Sequence, residues 1–144
     1  MGTSIEKVFD AFLARIDELD FAMELDDEVI KADMTAILNM AIFDFRFPRL
    51  SLVYENENFE EEITNEEVQV LATLMKMHWL RRQVNTWRLI KQQYTDRDFA
   101  LSSQANHLAQ LLKSLESAEK ECKRALDTYS RKGMNYGNLA GGVR

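Results

Sequence analysis

This sequence predicts an all-α fold, a bundle of about four helices, on three observations. Helix breakers are scarce: one proline and five glycines in 144 residues, with four of the glycines in the last twelve positions. Apolar residues recur at three- and four-residue spacing in four separate stretches. Residues that start or cap helices stand just ahead of those stretches. The same reading predicts an extended or hairpin-like acidic loop over about 49–62 and a flexible C-terminal arm over 133–144. Residues 1–132 then form a single helical-bundle domain, long enough to bury roughly two-thirds of its unfolded surface.

The first helix is expected after Ser4, a side chain suited to N-capping, with Ile5, Val8, Phe9, Phe12, Leu13 and Ile16 as its apolar stripe. Asp17 to Leu25 interrupts that period and reads as an irregular connector. The second helix should start at Asp26, with Asp27 and Glu28 in a first turn where their charge complements the helix dipole. Its buried stripe is Val29, Met34, Ile37, Leu38, Ala41, Ile42 and Phe45. Phe45-Arg46-Phe47-Pro48 ends it, because proline disfavours helical backbone in the residue before it.

Arg49 to Tyr54 alternates polar and apolar, and Phe59 to Ile63 is placed to run back against it across Glu55-Asn56-Glu57-Asn58. Seven acids between Glu55 and Glu67 argue that this excursion is exposed. Thr64-Asn65-Glu66-Glu67 reads as a capping box, in which the threonine hydroxyl caps an amide and the glutamate reaches back. Val68, Leu71, Ala72, Met75, Trp79, Val84, Trp87 and Ile90 then carry a third helix to about Gln93. Thr95 to Asp98 is the next turn, and Ser102 or Ser103 caps the fourth helix.

The fourth helix repeats cleanly through Leu108, Leu111, Leu112, Leu115, Ala118, Cys122, Ala125, Leu126 and Tyr129. Glu116–Lys120, Glu119–Lys123 and Asp127–Arg131 are favourable pairs four apart on its wet face. Gly133 is the expected stop. Val8, Phe12, Ile37, Ile42, Leu71, Trp79, Leu108, Leu112 and Leu115 are expected to meet in one core.

The formal net charge of -6 is unevenly spread. Residues 1–67 carry 18 acids against 5 bases, residues 68–95 carry five bases and no acid, and residues 96–144 carry 6 acids against 8 bases. Such segregation is satisfied either inside one fold or between copies. One cysteine permits no intrachain disulfide, which points to a reducing compartment. The N-terminus lacks the basic-then-apolar pattern of a secretory signal, and no apolar run approaches the ~20 residues that span a bilayer. A soluble intracellular protein with no membrane partner is expected.

Catalytic chemistry finds little footing. His78 and His107 lie on different helices and outside any ligand motif, and Cys122 sits within the leucine stripe as a small core residue. No glycine-rich loop precedes a helix, and the acidic run lacks a calcium-loop pattern. The expectation is no catalytic residue, no metal and no cofactor. Arg81, Arg82, Arg88 and Lys91 lie near Trp79 and Trp87, but a pI near 5.0 suits a salt-bridging or subunit-contact face better than nucleic-acid readout.

Six segments together carry a resemblance: Ser4-Ile5-Glu6-Lys7-Val8, Phe45-Arg46-Phe47-Pro48, Ile63-Thr64-Asn65-Glu66-Glu67-Val68, Trp79-Leu80, Asp98-Phe99 and Ser103-Gln104-Ala105-Asn106-His107-Leu108. In order and spacing, over about residues 3–132, they resemble the head–tail connector (adaptor or neck) proteins of tailed bacteriophages. Relatives often carry a proline near the position of Arg82, and their counterpart of the 49–62 loop is longer. The resemblance implies a helical bundle assembled as a ring, usually twelve-fold, beneath the portal vertex. Such a ring extends the DNA channel and offers a platform for the next neck or tail component, a stopper or tail-terminator protein. The implied partners are the portal protein, that next component, other copies of the chain and, by proximity alone, genomic DNA. The implied setting is the virion neck, and the host cytoplasm during assembly.

Within such a ring, Arg81, Arg82, Arg88 and Lys91 of one copy are expected to face the acidic flank of the next, at Glu60, Glu61 and Glu62. Met134, Tyr136, Leu139 and Val143 are expected to form a portal-contacting arm. The rival expectation is a small cytosolic helical regulator that binds a single protein partner.

Overall fold

The computed structural model describes residues 2–16, 27–92 and 103–142, with side chains described from 28 to 89 and from 105 to 132 in the later helices. The elements in chain order are α1 (Glu6–Leu13), α2 (Asp27–Asp44), β1 (Tyr54–Glu55), β2 (Asn58–Phe59), α3 (Asn65–Gln92) and α4 (Ser103–Gly142). The protein is an all-α bundle with one very short hairpin. The expected connector at 17–25 and the turn at 95–98 lie outside the described residues.

Helix α3 is the centre, because the other helices bury it on more than one side. Val68, Leu71, Ala72, Met75 and Trp79 are buried, and so are Val70, Thr73, Met77, Leu80 and Val84 between them. α1 and α2 pack against α3, and so does α4. From α1 come Val8, Phe9 and Phe12, and from α2 come Met34, Ile37, Leu38 and Ala41.

α4 runs antiparallel to α3. Trp87 meets His107 edge-on at 4.7 Å near one end, the Cys122 thiol donates to the Thr73 carbonyl at 3.3 Å midway, and Tyr129 reaches Glu67 at the other end. Leu108, Leu111, Leu115, Ala118, Cys122 and Tyr129 face α3, with the narrow two-position spacing of a coiled-coil seam. That narrowness overturns one expectation. Leu112 is 37% exposed, because α4 packs chiefly against a single helix and a residue one place off the seam has nothing to cover it. Nor is the core undivided: Leu108 pairs with Val84 in a small satellite cluster beside Trp87 and Leu111. Val29, expected in the buried stripe of α2, is also exposed, at 46%.

Around the hairpin the structure is tighter than expected. Only two residues, Asn56 (φ 51°) and Glu57 (φ 68°), make the turn, with Tyr54 opposite Phe59 and Glu55 opposite Asn58. Left-handed backbone at both positions matches the twist of the flanking strands, as in the commonest two-residue hairpins. Ile63 and Leu52 drop into the core on either side of it.

The chain's start completes this small sheet. The Phe59 amide donates to the Thr3 carbonyl at 2.8 Å and the Ile5 amide to the Glu57 carbonyl at 3.0 Å. The buried Thr3 hydroxyl accepts from the Ile63 amide at 3.0 Å. Gly2 lies so close to the Phe59 carbonyl that any Cβ there would overlap it.

Helix ends follow the predicted chemistry with two departures. The Ser4 hydroxyl accepts from the Glu6 amide at 3.2 Å, although the formal cap position is Ile5, and α1 stops at Leu13, short of Ile16. α2 ends at Asp44, ahead of Pro48. Gly133 does not stop α4, whose helical backbone continues to Gly142. A glycine inside a helix costs only about 1 kcal/mol, which makes it a weak stop without a left-handed cap.

Candidate functional site

Three features of the surface and its underlying joints bear on function. The first is a buried polar joint at the N-terminus of α3. Glu67, only 2% exposed, accepts the Thr64 amide at 2.7 Å and the Thr64 hydroxyl at 2.5 Å through one oxygen. This is the capping box with one change: the threonine hydroxyl donates to the carboxylate instead of accepting from an amide. The other oxygen accepts the Tyr129 hydroxyl at 2.7 Å.

Tyr129 in turn accepts the Arg49 amide at 2.9 Å, packs edge-on against Phe45 at 4.9 Å and lies under the Arg49 guanidinium at 4.0 Å. Arg49 closes the joint on Glu66 at 2.7 Å. Burial raises the Glu67 carboxyl, but the hydrogen bonds from Thr64 and Tyr129 outweigh it and hold the group below the usual carboxylate range. Burial and the neighbouring Glu67 push the Tyr129 hydroxyl up. These groups are spent on one another. An open groove of about 440 Å³ beside them, lined by Gln69, Thr73, Ala125 and Tyr129, therefore meets no unpaired member of the joint.

The second feature is the basic segment, which the structure largely neutralises inside the fold. Arg82 grips Asp33 of α2 through both nitrogens at 2.6 and 2.5 Å, and Arg81 reaches Glu119 of α4 at 3.5 Å. Lys76 lies 3.9 Å from Glu121. Arg88 is exposed and has no ion-pair partner among the described residues, and the Lys91 side chain lies outside them. Glu60, Glu61 and Glu62 are exposed at the hairpin, with Glu61 accepting the Ser51 amide at 2.5 Å. The acids and bases named as a subunit junction are thus not one cluster within a copy. Of the arm, the side chains of Met134, Tyr136 and Leu139, and all of Val143, lie outside the described residues.

His78 and Cys122 serve local packing. His78 Nε2 lies 2.6 Å from Asp44 Oδ2, tying α3 to the end of α2. Burial pushes the Cys122 thiol up to about 12. Among the described residues, no group of three or more His, Cys, Asp or Glu side chains is placed to hold a metal ion, and no helix is long and apolar enough to cross a membrane. Of the i,i+4 pairs expected on α4, Glu116–Lys120 forms at 3.4 Å, while Glu119 turns to Arg81 instead.

The third feature was missed in the sequence. Phe43 is 88% exposed on the side of α2 opposite its buried stripe, and Phe47, past the helix end at φ 57°, is 84% exposed and lines an open groove with Leu74 and Met77 of α3 and Cys122 and Leu126 of α4. Phe43 ends a stripe, Val29, Ala32, Ala36, Met40 and Phe43, exposed along its whole length. The signal was available: these positions repeat at three and four, as does the buried stripe. A helix apolar on two sides has no single preferred face, and the choice between them needs the packing.

Fold and surface together define an all-α bundle in which the buried Thr3, Glu67 and Thr73 side chains are hydrogen-bonded and the outer side of α2 is an open apolar face. No family model, no curated protein and no solved structure matches this chain.

Proposed function

We propose that the protein is a head–tail connector of a tailed bacteriophage, assembling as a ring under the portal vertex, extending the DNA channel and presenting a platform for the next neck or tail component. The motifs that carry the resemblance support this reading. Phe45-Arg46-Phe47-Pro48 and Ile63-Thr64-Asn65-Glu66-Glu67-Val68 converge on the polar joint, and Ser4-Ile5 lies on the hairpin. These segments hold contacts between elements of the bundle. The single observation that carries the functional reading is the exposure of Phe43 and Phe47. Large open aromatic side chains at the edge of a small bundle suit contact with another protein. Arg88 and the hairpin glutamates supply exposed charge of both signs for steering copies together. On this reading the protein resides in the virion neck, and in the host cytoplasm before assembly.

The test is to mix purified protein with portal rings and follow particle mass and images. Addition of a ring of copies to the portal end is expected. Portal rings of unchanged mass would overturn the connector reading. A second reading is a small helical regulator with one protein partner, favoured by the α2 stripe, which is the length of a single helix. The same mixture separates the two, because a regulator leaves the portal ring unchanged.

A further inference from the structure

We infer that Phe47 is a cocked lid: the polar joint at Tyr129 holds its ring out in water beside the groove between α3 and α4, and release of that joint lets the ring close into the groove. The inference rests on Phe47 and its two anchors and not on the connector reading.

Phe47 is unfavourable where it stands in two ways. Its backbone is left-handed, at φ 57°, a conformation that costs a side chain with a Cβ and that glycine or asparagine ordinarily takes after a helix. Pro48 follows it, and the residue before a proline prefers extended backbone. The ring is also 84% exposed although an apolar seat lies beside it. That seat is an open groove of about 460 Å³, which Phe47 lines together with Leu74 and Met77 of α3 and Cys122 and Leu126 of α4. Strain and exposure on one residue next to an open groove mark a conformation that something else maintains.

What maintains it is a short strap anchored twice on one side chain. Phe45, at the near end, packs edge-on against the Tyr129 ring at 4.9 Å. Arg49, at the far end, donates its amide to the Tyr129 hydroxyl at 2.9 Å. The Arg49 guanidinium adds a contact with the face of the same ring at 4.0 Å and an ion pair with Glu66 at 2.7 Å. The chain thus leaves Tyr129 at Phe45 and returns to it four residues later, so 46–48 turns back instead of running on. Left-handed Phe47 supplies the turn.

Between the anchors the backbone is unheld. Among the described residues the amides of Arg46 and Phe47 donate to no protein acceptor, and Pro48 has no amide to donate. Freed at Arg49, the strap takes the extended backbone that Pro48 favours and the ring passes from water to the groove. Both changes are downhill, so the joint and not the strap sets the position of the lid.

The experiment compares wild type with a released chain, Tyr129→Phe combined with Arg49→Ala, which lacks both the acceptor for the Arg49 amide and the guanidinium contacts. Nuclear Overhauser contacts from the Phe47 ring to the methyl groups of Met77 and Leu126 should be absent in wild type and present in the released chain. Urea midpoints of substitutions at position 47 give a second reading. In wild type, Phe47→Gly should unfold at higher urea than Phe47→Ala, because glycine alone takes left-handed backbone freely. In the released chain that order should invert, and both variants should unfold at lower urea than the chain that keeps Phe47, since its ring is then buried. Ring-to-methyl contacts in wild type, their absence in the folded released chain, or one order of midpoints in both backgrounds would overturn the inference. So would a wild-type background in which Phe47→Gly gains nothing over Phe47→Ala, a result that does not depend on the released chain folding. These readouts need no portal, so their failure is distinct from failure of the connector reading.

Discussion

The hydroxyl of Tyr129 lies 2.7 Å from Oε2 of Glu67, joining the far part of α4 to the first turn of α3 across 62 residues of sequence. The same hydroxyl accepts the Arg49 amide, so one side chain locks two helices and the segment leaving α2.

Tyr129→Phe should therefore cost more than an ordinary surface hydrogen bond. It leaves a buried carboxylate oxygen and a backbone amide each short of a partner, a loss of roughly 1–3 kcal/mol. A lowered urea midpoint with an unchanged slope is expected. A midpoint equal to wild type would show that water replaces the hydroxyl without cost.

The joint also sets a pH dependence with two limbs. Glu67 titrates below the ordinary carboxyl range in the fold, so its contribution is full above the unfolded value and is lost as pH falls through the folded one. Tyr129 is raised, so its contribution is full below the ordinary phenol value and is lost as pH rises through the folded one. In thermal melts across pH, Glu67→Gln should flatten the acid limb and Tyr129→Phe the alkaline limb. Acid sensitivity identical in wild type and Glu67→Gln would assign that limb to other carboxyls.

Burial separates two leucines of similar sequence context. Leu71 is fully enclosed between the helices, and Leu71→Ala should cost about 2–5 kcal/mol. Leu112 is over a third exposed, and Leu112→Ala should stay within about 1 kcal/mol of wild type. Comparable losses at both sites would mean that α4 is rotated by one residue on its seam.

Gly2→Ala should strip the N-terminal strand from the hairpin, because the added methyl overlaps the Phe59 carbonyl. Hydrogen exchange is the direct readout: the Phe59 and Ile63 amides, both bonded to Thr3, should lose protection while those of α3 keep it. Retained protection at Phe59 would contradict the tight approach.

Charge reversal tests the connector reading most cleanly at Arg88, which pairs with nothing among the described residues, whereas Arg82 holds Asp33. Arg88→Glu should leave the melt unchanged and slow addition to portal rings, with the effect shrinking at high salt. A chain ending at Lys132 should likewise fold yet attach poorly. Normal attachment by both would leave neither the basic face nor the arm a role in the junction.

Local chemistry was legible in the sequence wherever one short segment decides the outcome. The end of α2 before Pro48, the Thr64–Glu67 box and the existence of a turn near Asn56 depend on backbone rules that act over a few residues. The helical period of α3 and α4 is likewise a local property. Gly133 shows the limit of such rules, since a single glycine only weakens a helix.

Which apolar residues are covered was not local, and only tertiary packing decided it. Leu111 and Leu112 are equally apolar neighbours, and the narrow width of the α3–α4 seam selects the first. α2 carries two apolar stripes, and the position of α3 buries Ile37, Leu38 and Ala41 while leaving Met40 and Phe43 in water. Charge followed the same division. The sequence determined that acids and bases are segregated. Only the folded chain determined that Arg82 meets Asp33 within one copy, because Coulomb attraction depends on distance in space and not along the chain.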